Sequence, residues 1–289
     1  MNSIILGDVD ITRVVEWQGP FAPTSTTFPS LTRADWETHS SWLVPDHWEP
    51  ETDHFVATTQ VWVLRSEGRV ILVDTGIGDD KDRGSGPFHR LRTGFLSRLA
   101  EAGVRPEDVD VVVNTHAHVD HIGWNTRLEA GSWVPTFPNA QYLLHRADAE
   151  FVDPAHAQRP DDGSYADSIA PVVESGLLST WDGDTLVLDR NLTLELASGH
   201  TPGSAALRLA SGTDRALFLG DLVHSPIQVA EPDHEFCSSE DVPAAIRARR
   251  RYLAEAADTG ALVVPAHFGD TGMAEVARAG EKFTIAGWR

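Results

Sequence analysis

Four hydrophobic runs set the pattern of this chain, and each closes on a side chain able to bind metal. The first, Val109-Asp110-Val111-Val112-Val113, is β-branched and reads as a buried strand. Asn114-Thr115-His116-Ala117-His118-Val119-Asp120-His121 follows at once, with three imidazoles and a carboxylate in six residues. Asn191 to Leu196 leads to Ser198-Gly199-His200-Thr201-Pro202-Gly203, Arg215 to Gly220 leads to Asp221, and Ala261 to Ala266 leads to His267. A strand's C-terminal edge is where α/β proteins place functional side chains. Local spacing cannot make these residues neighbours, but two packed sheets can bring several strand ends to one rim. Five histidines and two aspartates then suffice for two divalent metals sharing a carboxylate.

Other segments fill in the architecture. Met1 to Asp8 lacks a basic start and a long apolar stretch, and reads as a first strand, not a signal peptide. Residues 19–55 are rich in Pro, Thr and Trp without periodicity, and read as an irregular loop near the active-site rim. Phe88, Leu91, Phe95, Leu96 and Leu99 follow helical spacing, with Gly103 as the stop. Gln141 to Leu144 is a short strand; Asp153 to Ser168 is turn-rich, with helical spacing from there to Gly176. Asp241-Val242-Pro243 opens another helix, Asp241 capping it, and Arg247, Arg249, Arg250 and Arg251 read as its solvated face.

Composition narrows the function. The 289 residues are read as one domain, 1–289, with room for a sizeable core. A balance of 23 basic to 43 acidic residues, net −20, argues against a nucleic-acid partner. No run reaches membrane-span length, and the single cysteine, Cys237, forbids an intrachain disulfide, so a cytoplasmic location is expected.

The run His116-x-His118-x-Asp120-His121, with His200, Asp221 and His267, resembles the dinuclear signature of the metallo-β-lactamase superfamily. The match runs from about Thr59 to about Gly269 and includes the Val70 to Gly76 strand and turn. The resemblance implies a four-layer αββα sandwich of the α/β class. It places His116, His118 and His200 on a first metal, Asp120, His121 and His267 on a second, and Asp221 as the bridge. It makes Asp74 a loop organiser beneath the site. Gly220-Asp221-Leu222-Val223-His224-Ser225-Pro226-Ile227-Gln228 is similar to the branch that holds methyl parathion hydrolase and lactonase-like enzymes.

Two dications, zinc by ligand chemistry, can ionise a water near neutral pH, so no Ser or Cys nucleophile is required. That metal-bound hydroxide is expected to open a lactone or cleave a carboxylic ester. Asp120 and Asp221 are the catalytic carboxylates, and Asp120 also passes a proton to the leaving group. The net charge favours a neutral or weakly charged small-molecule substrate. His224, Trp124, Trp42, Trp48 and Phe28 are the candidate substrate contacts. Competing expectations are a phosphotriesterase, a thioesterase or a β-lactam hydrolase on the same fold, and a non-catalytic metal-stabilised sensor. A monomer or a homodimer fits equally.

Overall fold

The structure, a computed structural model, describes residues 3–156 and 162–289. The chain divides into two compact units: residues 1–17 with 59–191, and residues 18–58 with 192–289.

The first unit is built on a mixed sheet. Its strands run in the order Ser3–Leu6, Val9–Pro23, His54–Ser66, Arg69–Val73, Val111–Val113, Gln141–His145 and Leu178–Trp181. Val9–Pro23 and His54–Ser66 each continue past the boundary of this unit into the second. From Arg69–Val73 onward the pairings are parallel. Parallel strands are buried on both faces, which is why Arg69–Val73 and Val111–Val113 are almost wholly apolar. Val63, Leu72, Val112 and Tyr142 from the sheet pack with Phe95 and Leu99 of the helix Phe95–Glu101. Strand ends at Val73 and Val113 are thereby set side by side, in register, with the following loops leaving from one edge.

That helix is shorter than the spacing from Phe88 predicts. Phe88 instead packs edge-on to Trp17, with ring centroids 5.4 Å apart, and the helix starts only after Gly94, at φ +69°. The predicted stop is where expected: Gly103 has φ +73°, and Val104 N–H donates to Leu99 O at 3.1 Å. Of the predicted turn-rich stretch and helix, residues 157–161 lie outside the described residues; beyond them come a π-helical turn, Tyr165–Ile169, and a helix, Ala170–Glu174.

The second unit carries the strands Leu192–Leu196, Ala205–Ser211, Asp214–Gly220, Leu262–Pro265, Ala274–Ala279 and Lys282–Trp288 in sheet order. The helix Val242–Thr259 lies on it through Tyr252, Leu253 and Ala256. Asp241 caps this helix as expected, its side chain accepting from Ala244 N at 2.9 Å. One expectation for its arginines fails. Arg249 is buried, and its guanidinium donates to the carbonyls of Leu222 (2.6 Å), Pro232 (2.8 Å) and His234 (2.8 Å). Arg250 and Arg251 do stay at the surface, on Asp233 and Glu195.

Residues 19–55 are not an irregular loop. After the end of Val9–Pro23 they form three short helices, Thr24–Thr27, Arg33–Thr38 and Ser40–Leu43, and a two-residue strand, Trp48–Glu49, paired with His54–Ser66. An aromatic cluster holds them. Phe28 meets Trp36, Phe55 and Phe236 edge-on at 5.2–5.4 Å between ring centroids. Helices of four to six residues are too short to display a 3.6-residue period, so the pattern was invisible in the sequence.

Candidate metal centre

In the first unit the ligand-rich loop leaves the strand Val111–Val113 and is fixed almost atom by atom. Asp74 follows the neighbouring strand with φ +58°, a left-handed conformation that Asp tolerates better than most residues. Its carboxylate accepts from Thr115 N (2.7 Å), Thr115 Oγ1 (2.9 Å) and His121 Nδ1–H (2.8 Å). The carbonyl of His121 accepts from Thr75 N (2.7 Å), Thr75 Oγ1 (3.1 Å) and Asn114 Nδ2 (3.2 Å). Buried Asp148 accepts from Ala117 N at 2.8 Å. Backbone and rings are therefore held before any ion binds.

The four donors of this loop converge. His116 Nε2 and His118 Nδ1 lie 3.1 Å apart, and the rings of His116 and His121 are 4.0 Å apart. Asp120 Oδ1 is 3.8 Å from His121 Nε2. Two imidazole nitrogens bound at 2.0–2.1 Å to a tetrahedral zinc stand about 3.3 Å apart. The His116–His118 spacing fits that geometry. Because Asp74 takes the proton on His121 Nδ1, Nε2 is the nitrogen with a lone pair for a metal.

The second unit gathers its own set. His200 sits in a turn where Gly199 has φ +142°, and a Cβ there would come 2.2 Å from Ala245 N at the start of the long helix. Only glycine lets the turn approach that backbone. Thr201 and Ser204 close the turn through their hydroxyls, 2.6 Å apart. Asp221 ends the strand Asp214–Gly220, and His267 follows the parallel neighbour Leu262–Pro265. Around the Asp221 carboxylate stand His267 Nε2 at 3.0 Å, His224 Nε2 at 3.1 Å and His200 Nε2 at 3.3 Å. His267 Nδ1–H donates to Thr58 O at 2.9 Å, which again leaves the lone pair on Nε2. His47 is buried and accepts from Gly269 N at 3.0 Å, bracing the loop after His267.

His224 is fully buried and stacks on Phe236, with centroids 3.6 Å apart and planes at 14°. Burial pushes its imidazole down to about 3, against the pull of Asp221, so it is neutral. It touches the carboxylate, as a partner of a ligand would.

The other candidate substrate contacts are placed differently from expectation. Trp124 is buried against Phe95, and its Nε1–H donates to Glu16 at 2.7 Å. Trp48 is buried with Nε1–H on Asp53, and Phe28 lies wholly inside the aromatic cluster. These three rings are core material with no face left for a ligand. Trp42 alone is half-buried, its ring tilted at 51° to that of His39 with centroids 5.1 Å apart. The sequence gives no sign that Glu16 and Asp148 are buried, and Arg249 is hidden among its neighbours Arg247, Arg250 and Arg251.

Each unit thus carries a His/Asp cluster of metal-ligand type. A chain with this topology is similar to AidC, a dizinc quorum-quenching lactonase in complex with a product. That match has a TM-score of 0.80 and 21% identity and covers 100% of this chain and 97% of that one. A probable metal-dependent hydrolase from Staphylococcus aureus gives a TM-score of 0.80 at 18% identity, covering 98% and 97% of the two chains. The fold is the metallo-β-lactamase α/β fold. Residues 55–272 match the family model of the metallo-β-lactamase superfamily, and the chain belongs to that family. Among curated relatives, metallo-beta-lactamase domain-containing protein 1 of Mus musculus is 32% identical over 199 residues, 68% of this chain. The chain matches only 58% of the length of that mouse protein. No helix among the described residues is long and apolar enough to cross a membrane.

Proposed function

We propose that the protein is a dinuclear metal-dependent hydrolase that opens a lactone or cleaves a carboxylic ester, its two units acting as one catalytic domain. In this reading His116, His118, His200 and Asp221 would hold one ion, and Asp120, His121 and His267 would hold the other. Nitrogen and carboxylate donors without a thiolate suit zinc. The observation that carries the reading is the preset tautomer of His121 and His267, each backed at Nδ1 by an acceptor that turns Nε2 into a ligand. A histidine merely filling a core does not need that arrangement twice.

Two bound dications supply a water ionised near neutral pH and polarise the substrate carbonyl. The chain's own groups do the rest. Asp74 and Thr58 orient the imidazoles, and His224 Nε2 stands 3.1 Å from the Asp221 carboxylate. Asp120, its side chain 14% exposed, would carry a proton to the departing oxygen in this reading. The net charge of −20 disfavours anionic substrates at low salt, which supports a neutral lactone or ester. The similarity to AidC, a lactonase, supports the same class.

A panel tests this: metal-quantified protein offered acyl-homoserine lactones, aryl esters, a phosphotriester, a glutathione thioester and a cephalosporin. Lactone or ester turnover that is abolished by chelation is expected. Turnover of the thioester, phosphotriester or cephalosporin alone would replace the substrate class. Inactivity on the whole panel with two ions bound would leave the sensor reading.

A further inference from the structure

Glu16 is a buried carboxylate whose side-chain partners are all neutral donors, and nothing in the sequence pattern marks it. Only 4% exposed, it accepts four hydrogen bonds: from Ile77 N (2.6 Å), Trp124 Nε1 (2.7 Å), Thr93 Oγ1 (3.1 Å) and Gly78 N (3.2 Å). A Cβ on Gly76 would lie 1.9 Å from Glu16 Oε2, so this turn uses glycine to wrap the carboxylate. Thr93 comes from the segment before the helix Phe95–Glu101, and the other three donors belong to two turns. One runs from Asp74 to Gly78; the other, Gly123 to Asn125, begins two residues after His121. Those turns are stitched together by Gly123 N to Gly76 O (2.7 Å) and Trp124 N to Thr75 O (2.9 Å).

We propose that Glu16 is a positioning residue for the metal ligand His121, joining through one carboxylate the turn that carries Asp74 and the turn that follows the imidazole. The inference rests on the dinuclear reading above. An ionised carboxylate has only acceptor sites, and all four donors use them. A glutamine would turn a donor toward a backbone N–H and open one side of the clamp. Asp74 and His121 would then lose their shared register, although neither touches Glu16. Burial pushes the Glu16 carboxyl up to about 7, in keeping with a charge held only by neutral donors. Arg98 reaches the backbone carbonyl of Glu16, and Asp79 shares Thr93; these are the charged groups beside it.

The test compares wild type, Glu16→Gln and the milder Trp124→Phe, which removes one donor and keeps an aromatic ring. Zinc stoichiometry and affinity are measured by competition with a chelator, and the cobalt-loaded forms by visible absorption. The expected result is a 10- to 100-fold loss of affinity for one of two ions, with an altered cobalt spectrum, the size seen when a partner of a metal ligand is removed. The other ion stays bound. Trp124→Phe should shift in the same direction by less, which keeps the test open if Glu16→Gln fails to fold. Two ions held as tightly as in wild type, with an unchanged spectrum in the variants, would overturn the role of Glu16 and leave the hydrolase reading intact. Wild type that binds fewer than two ions would overturn both.

Discussion

Glu16 also makes a prediction about stability that needs no metal. Its carboxyl is raised from 4.5 to about 7 by burial, so the folded protein binds this proton more tightly than the unfolded chain. The sign follows. The stabilisation is fully present below pH 4.5, falls as pH rises, and is gone above about 7. A gap from 4.5 to about 7 corresponds to roughly 3 kcal/mol. His224 acts in the opposite sense. Its pKa, lowered from 6.5 to about 3, brings stability that is lost as pH falls below 6.5, so the wild-type curve alone is ambiguous. The difference between wild type and Glu16→Gln is not. Urea unfolding of the chelator-treated proteins at intervals from pH 4.5 to 8 should show wild type losing about 3 kcal/mol more than the variant over that range. Parallel curves would show that Glu16 is already ionised at low pH and that burial does not govern it.

Three further outcomes follow from the same geometry. Asp74→Asn, which weakens the acceptor behind His121 and Thr115, should lower the affinity for one ion about 10- to 100-fold, read by chelator competition. Gly199→Ala forces a Cβ to 2.2 Å from Ala245 N at φ +142°, and should cost about 1–3 kcal/mol in backbone strain alone, with loss of the ion held by His200, seen by calorimetry and metal analysis. Asp120→Asn with both ions retained should slow substrates with poor leaving groups far more than activated aryl esters; equal slowing of both would remove the proton-carrying role.

Much of the ligand set was legible because it is written in local grammar. A β-branched run followed by His-x-His-x-Asp-His needs only strand propensity and loop chemistry to be read, and Val111–Val113 and its loop appear where expected. Asp221 and His267 were found the same way, as polar residues closing apolar runs, and the structure puts them at the ends of adjacent parallel strands. The aromatic reading failed for a physical reason. Trp124 and Phe28 lie close in sequence to loops and short elements, but sequence distance says nothing about which way a ring turns, and both turn inward. Arg249 looked like one of a solvated row, yet it alone faces the carbonyls of residues 222, 232 and 234.

The sequence by itself determined which residues can bind metal and which strands deliver them, since both depend on residue type and a period of two. Only the tertiary structure decided the protonated nitrogen of each imidazole, through Asp74 on His121 and Thr58 on His267, because those acceptors lie 47 and 209 residues away. It also decided that Glu16, Asp148 and Arg249 are buried braces. A charge declares its role only through the groups that surround it, and those are brought together by folding.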